Sequence, residues 1–315
     1  MSAWAAMNGF LLLDKARGVR STACVQHINR LLGKEIKVGH AGTLDSSADG
    51  LLVLLIGKAT RWADMVMNLP KEYFVTAAFG KTTDTDDASG EITSENDISH
   101  LSERRIDCAC ASFLGWRAQM PPRISAVKIK GVAAHAVTRS GGIPDTKPRP
   151  VFIRSVRRRT SLLEGGLAGF SVCCGRGTYV RSIIRDMGNI LECGAHVLRL
   201  RRSSIGSLHV DTAVSQEDFE HLSAADVSNL LLPVESVLDA YTWYDITSAQ
   251  SETLLQGKSV PIACVRAFRY GRIPSERGIL LATRNHVAFC TMSLSGTTLL
   301  AVPERNMTSA GERDA

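Results

Sequence analysis

Six consecutive apolar residues, Leu51 to Ile56, constrain the fold of this chain more than any other feature. The turn pairs Asp49-Gly50 and Gly57-Lys58 bound the run, and a short apolar segment between turn pairs reads as a buried strand. It is the longest purely apolar run in the chain and falls far short of the roughly 20 residues that a spanning helix needs. Around it lies ordinary globular composition: 315 residues, 44% hydrophobic and 22% charged, which excludes a mostly disordered or collagen-like chain. The length suits one large domain, or a large domain with a small one.

Other elements follow from periodicity and punctuation. Phe10 to Leu13 predicts a strand, and Ser21 predicts the cap of a helix running to Leu32 with Gly33 as its stop. Thr60 to Asn68 predicts a short helix. Alternation from Tyr73 to Phe79 predicts another strand. Eight acidic residues between Asp84 and Asp107 predict a solvated loop leading into a surface helix. Pro121-Pro122 and Gly141-Gly142 bracket a strand and a helix beginning near Val132. Val151 to Thr160 and Leu167 to Cys174 predict a hairpin across Gly165-Gly166. Gly175-Arg176-Gly177 leads into a helix whose apolar face carries Val180, Ile183, Ile184 and Met187. Val197 to Arg202 predicts a strand with a basic face, Arg199 and Arg201. After Pro233 the composition shifts, and Ile246 to Pro303 reads as a small strand-rich unit.

Charge is focused. The whole chain carries a formal +6, but Lys147 to Arg202 holds twelve basic residues against Glu164, Asp186 and Glu192, a net of +9. The remainder nets −3, and so local a basic excess suits a polyanion partner. The eight cysteines match no zinc ligand spacing or disulfide framework, and Met1 to Lys15 has no basic leader-like region. The reading is a reduced, cytoplasmic, metal-free protein.

Several residues carry two readings side by side. Asp45, one turn after Gly39 and Gly42 and just before the apolar strand, is placed to be a nucleophile or base, or to cap a turn. Arg181, in the first turn of its helix, is suited to an ion pair with a carboxylate, or to a phosphate or solvent. Tyr73 and Tyr179, two of only five tyrosines, sit among basic residues as base-stacking groups do, or pack in the core with their hydroxyls satisfied. His40 is a ligand contact or an ordinary hydrogen-bonded loop histidine. No second carboxylate pairs visibly with Asp45, which counts against two-carboxylate glycoside hydrolysis. Gly57-Lys58 imitates the end of a phosphate-binding loop, but the glycine such a loop requires five residues upstream is Leu52 here.

Gly39-His40-Ala41-Gly42-Thr43-Leu44-Asp45 followed by Gly50-Leu51-Leu52 resembles the catalytic motif of the bacterial tRNA pseudouridine synthase B (TruB) family. Further blocks fall in family order: Gly9-Phe10-Leu11-Leu12-Leu13-Asp14-Lys15, Lys71-Glu72-Tyr73, Thr83-Asp84-Thr85-Asp86, Gln119-Met120-Pro121-Pro122, Gly177-Thr178-Tyr179-Val180-Arg181 and Cys193-Gly194-Ala195-His196-Val197. The resemblance implies an α+β pseudouridine-synthase fold: a large mixed, mainly antiparallel sheet flanked by helices, plus a small C-terminal β-rich PUA-like domain. It implies a catalytic domain over residues 1–245, the PUA-like RNA-binding domain over 246–303 and a disordered tail over 304–315. It also implies an isomerase that converts uridine 55 in the T-loop of tRNA to pseudouridine by flipping the base, breaking the glycosidic bond and rejoining through C5. Neither cofactor nor metal is implied, the partner is the tRNA T-arm, no membrane is involved, and the protein is expected to be a monomer.

By the same resemblance Asp45 is the essential carboxylate, Tyr73 stacks on the target base, and Arg181 pairs with the aspartate. Tyr179 lines the pocket, Leu200 packs against the base, and His40 fills the space left by the flipped nucleotides. The chain departs from the family pattern at Ala16, Arg20, Ser46-Ser47, Asp49, Ile124 and His135. These departures bear on loop rigidity and RNA docking, not on the chemistry.

Overall fold

The computed structural model describes residues 7–124, 128–129, 132–133, 147–262, 265–269, 279–283, 286–295 and 298–308. The apolar run lies in β3 (Asp49–Ile56), all eight of whose residues are buried. Antiparallel to it runs β1 (Gly9–Lys15), with Leu12 opposite Val53. Leu11 and Leu13 on one face of β1 pack on α1 (Ser21–Leu32) through Cys24 and Ile28. Phe10 and Leu12 on the other join Trp62 and α2 (Ala63–Asn68). The sheet centre is thus apolar on both faces, and only an unbroken apolar run satisfies that position.

The short β2 (Val38–His40) also pairs with β3. Beyond β3 the sheet continues through β4 (Lys71–Phe79), a hairpin of β5 (Lys81–Thr83) and β6 (Ile92–Glu95) stands apart, and α3 (Glu103–Ala111) leads to β7 (Gly115–Gln119). The expected solvated acidic loop therefore contains a hairpin, and Asp87 within it is buried. Lys128–Ile129 (β8) pairs with Val132–Ala133 (β9), so strand pairing stands where the helix from Val132 was expected; residues 134–146, His135 among them, lie outside the described residues. The β-branched Ile129 and Val132 sit opposite each other there, which favours pleated over helical backbone.

The expected hairpin forms between β10 (Arg149–Arg158) and β11 (Leu167–Cys174), and α4 (Val180–Ile190) packs Ile183, Ile184 and Met187 into the core below it. β12 (Ala195–Ile205) then inserts between β3 and β4, parallel to the first and antiparallel to the second. β13 (Leu208–His209) and β14 (Val214–Ser215) complete a ten-stranded sheet, ordered β14-β1-β3-β12-β4-β11-β10-β7 along its path.

Three short helices follow, α5 (Gln216–His221), α6 (Ala224–Leu230) and α7 (Val234–Val237). A second, six-stranded sheet then forms with α8 (Ser248–Leu255), running from Trp243 to Thr308. It starts before and ends after the expected span 246–303, because Trp243 pairs with Leu280 and the last strand stays paired as far as Thr308. Trp243, Leu280 and Val287 share one apolar cluster with Trp62 and Met65, so the second sheet is seated on the first unit. Among the described residues no helix is long and apolar enough to cross a membrane.

Gly50 is the tightest point of this sheet. Its φ is +107°, and a Cβ there would collide with the backbone carbonyl of Arg202 where β12 runs beside β3. Gly50→Ala should cost about 3 kcal/mol, the upper end for a strained backbone position. Denaturant unfolding would show this as a lowered midpoint; an unchanged midpoint would mean that the strands separate at no cost.

Candidate active site

Asp45 lies on the loop between β2 and β3, and bonds from four directions hold that loop. Ser21 Oγ accepts from the Leu44 amide (3.0 Å) and donates to the Leu44 carbonyl (2.8 Å). Ser21 is thus the first residue of α1 and not its expected cap, since its hydroxyl is spent on the loop; Arg20 precedes the helix without a capping side chain. The Gly18 amide donates to Ser46 (2.7 Å), and Lys15 Nζ to the Ala48 carbonyl (2.7 Å). Arg202 Nη2 donates to Gly42 (3.2 Å) and its Nε to Leu51 (2.7 Å). Ser46-Ser47, in place of a stiffer pair, is held by hydrogen bonds instead: Ser47 Oγ donates to Asp87 Oδ2 (2.9 Å).

Arg181 reaches Asp45 from α4 with Nη2–Oδ2 at 2.8 Å. Its side chain is only 5% exposed, against 37% for Asp45, so a buried cation meets a carboxylate at the pocket wall. The guanidinium also donates to the carbonyls of Thr85 (2.9 Å) and Ile124 (3.0 Å), and lies 3.7 Å from Asp87. Burial pushes the Asp87 carboxyl up, but hydrogen bonds from Ser89 and Thr85 and the charge of Arg181 outweigh it and hold that carboxyl below its usual range. The sequence reading missed Asp87; its only signal was its place directly after the Thr83-Asp84-Thr85-Asp86 block, masked by the surrounding acidity.

A cavity of about 430 Å³ opens over the pair, lined among others by Asp45, Tyr73, Tyr179, Arg181, Leu200 and Arg202. Five of the six expected residues therefore converge. The sixth, His40, sits half-buried on β2 outside that lining, its Nδ1 without a hydrogen-bond partner among the described residues. Burial, then the charge of Arg202, lowers its pKa. Tyr73 alternates inward on β4, and burial raises its phenol against the lowering charge of Arg202. Gln119 fixes the Tyr179 backbone from both sides, accepting from its amide (2.8 Å) and donating to its carbonyl (3.1 Å). A second chamber of about 510 Å³, lined by Arg20, Thr22 and Ser46, lies across the pair, so Asp45 and Arg181 stand between two cavities.

The basic face expected on β12 is largely neutralised. Arg201 forms a two-pronged pair with Asp14 (2.7 and 3.0 Å) and a third contact with Asp49 (2.7 Å), and Arg199 approaches Asp49 at 3.5 Å.

The fold is shared with solved structures. A Cbf5-Nop10-Gar1 complex aligns with a TM-score of 0.68 over 95% of this chain and 84% of the other, at 23% identity. An H/ACA RNP bound to a substrate RNA containing 2′-deoxyuridine aligns at 0.67 and 20% identity, over 97% and 86%. This places the molecule in the pseudouridine-synthase fold class. Residues 29–180 match the N-terminal domain model of the TruB family pseudouridylate synthases, and residues 181–239 match the tRNA pseudouridylate synthase B C-terminal domain. A tRNA pseudouridine synthase B of Syntrophotalea carbinolica is 40% identical over 235 residues, 75% of this chain and 76% of that protein. Another, of Caulobacter sp. (strain K31), is 34% identical over 91% of this chain and 93% of its own length. The chain belongs to the TruB family of pseudouridylate synthases, which are isomerases.

Lys71 lines the cavity, donating to the Met67 (2.6 Å) and Leu69 (2.7 Å) carbonyls, and burial, with Arg202 nearby, lowers its pKa to about 7. The unfolded chain keeps that proton to about pH 10.4. Folding therefore gains stability as pH rises from about 7 toward 10, and loses it on acidification through that window. Lys71→Met removes the dependence. The wild type should gain on the variant in denaturant midpoint between pH 7 and 8.5, and a constant difference would show that the amine titrates normally.

Proposed function

We propose that the protein isomerises uridine 55 in the T-loop of tRNA to pseudouridine, with Asp45 as the essential carboxylate. The Asp45–Arg181 pair at 2.8 Å, on the wall of a nucleoside-sized cavity, carries this reading. The relatives' names, tRNA pseudouridine synthase B, support tRNA as the substrate.

The flipped uridine enters the cavity, where Tyr73 stacks on the base and Leu200 closes its apolar side. Flipping costs a few kcal/mol, which stacking and phosphate contacts offset. Asp45 acts at the sugar, either attacking C1′ or taking the C2′ proton, and Arg181 holds its carboxylate toward the ribose. The N1–C1′ bond breaks, the uracil turns within the walls and C5 bonds to C1′, as Asp45 is released from C1′ or returns the proton to C2′; C5 then loses its proton to solvent and N1 takes one up. No redox partner enters this balance. Tyr179 lines the pocket, and His40, from outside it, fills the space left by the flipped nucleotides. We further propose that the chain up to Trp243 forms the catalytic domain and that the sheet from Trp243 to Thr308 forms a PUA-like RNA-binding domain, in a cytoplasmic monomer.

Purified protein with tRNA transcript and no additive should release tritium from C5 of uridine 55. Asp45→Asn should abolish release by at least 10³-fold, on the order of what an essential catalytic group contributes, while tRNA affinity stays within about threefold. Normal turnover by the variant would refute the role of Asp45, release at another uridine would refute the site specificity, and free uracil would make the enzyme a hydrolase.

A further inference from the structure

Among the basic residues between Lys147 and Arg202, Arg158, Arg176, Arg181, Arg185, Arg199 and Arg201 are paired with carboxylates. Arg202 is spent on backbone carbonyls. Three exposed arginines at the end of the β10 hairpin strand, Arg154, Arg157 and Arg159, have no carboxylate partner among the described residues. Their place in the sheet is specific. Val151, Ile153 and Val156 of β10 pack toward α3 and α4, so the residues between them face away from the active site.

Register extends that outer face across neighbouring strands. Arg157 lies opposite Ser171 of β11, and Ser171 opposite Phe74 of β4. Tyr73 and Phe74 are successive residues, so Tyr73 points into the catalytic cavity and Phe74 to the other side, where it is 49% exposed. At the β10–β7 edge, Phe152 is paired with Trp116; their rings are 5.4 Å apart and 39% and 65% exposed. Arg159 Nε donates to Ser171 Oγ (2.8 Å), which lays that guanidinium along the sheet. Glu72 of β4, opposite Cys173, is an acid on this face.

We propose that this outer face, from Phe74 across Arg157, Arg154 and Arg159 to Phe152 and Trp116, binds a single-stranded RNA segment separate from the nucleotide in the catalytic cavity. Unpaired guanidinium groups supply phosphate contacts, and exposed rings supply stacking, which only unpaired bases accept. From β4 to β7 the platform is about 14 Å wide at the usual strand spacing. An apolar protein partner would leave three arginine charges to be buried without counter-ions, whereas an RNA backbone neutralises them. The proposal goes beyond the isomerase reading and is independent of which uridine reacts.

The test uses the full chain with a saturating T-arm stem-loop in the cleft and a fluorescein-labelled, uridine-free 12-mer RNA as probe. Fluorescence anisotropy should show the 12-mer binding to the occupied enzyme. Arg154→Gln with Arg157→Gln should weaken that binding about tenfold and lower the slope of log affinity against log salt by about 1.4, two single-strand phosphate contacts. Trp116→Ala should weaken it about fivefold or more by lost stacking, with the salt slope unchanged. Arg154→Lys with Arg157→Lys should restore the slope. Isomerisation of the stem-loop at the wild-type rate in every variant shows that they are folded. Displacement of the 12-mer by the stem-loop, absence of 12-mer binding by the wild type, or an unaltered affinity and slope in the double Gln variant would each overturn the proposal.

Discussion

The site depends on a buried cation without a carboxylate partner among the described residues. Arg202 is 1% exposed, and its guanidinium donates to the carbonyls of Gly42, Thr43 and Leu51. An isolated buried charge costs several kcal/mol, so these bonds are obligatory, and satisfying them brings the Asp45 loop and β3 to fixed positions around one group. Because Arg202 sits where β12 pairs with both β3 and β4, the strand insertion that builds the sheet also builds the cavity wall. Gly50 is needed at the same point, since no side chain fits between the two backbones.

Around that anchor, charge is distributed with evident division of labour. Arg181 joins the loop aspartate to a second, buried carboxylate, Asp87, whose remaining lone pairs are taken by Ser47, Ser89 and Thr85. A carboxylate held this way keeps its orientation when the base enters, so little reorganisation is left for the reaction. Asp14 and Asp49 neutralise Arg201 nearby, which keeps this side of the loop from competing for Asp45.

Much of the fold was legible because burial imposes period and punctuation. The apolar run of β3, the alternation of β4 and the amphipathic α4 each appear where their side-chain pattern requires. The misreadings share a cause. Ser21 looks like a cap until its hydroxyl is seen bonded to Leu44, and Asp87 looks solvated until Arg181 comes to it from 94 residues further along the chain. In both, a polar side chain's partner is distant in sequence, and local pattern carries no trace of it.

The order of motifs from Gly9 to Val197 was enough to identify the family and to single out Asp45, Tyr73 and Arg181, because those residue types recur at set places along the chain. Tertiary structure alone decided that Arg181 also lies beside the buried Asp87, that His40 stays outside the cavity lining, and that Arg199 and Arg201 are neutralised while Arg154 and Arg157 are not. The reason is physical: a one-dimensional pattern reports which face of its own element a residue occupies. Whether a charge is paired depends on what another strand or helix brings within about 4 Å of it.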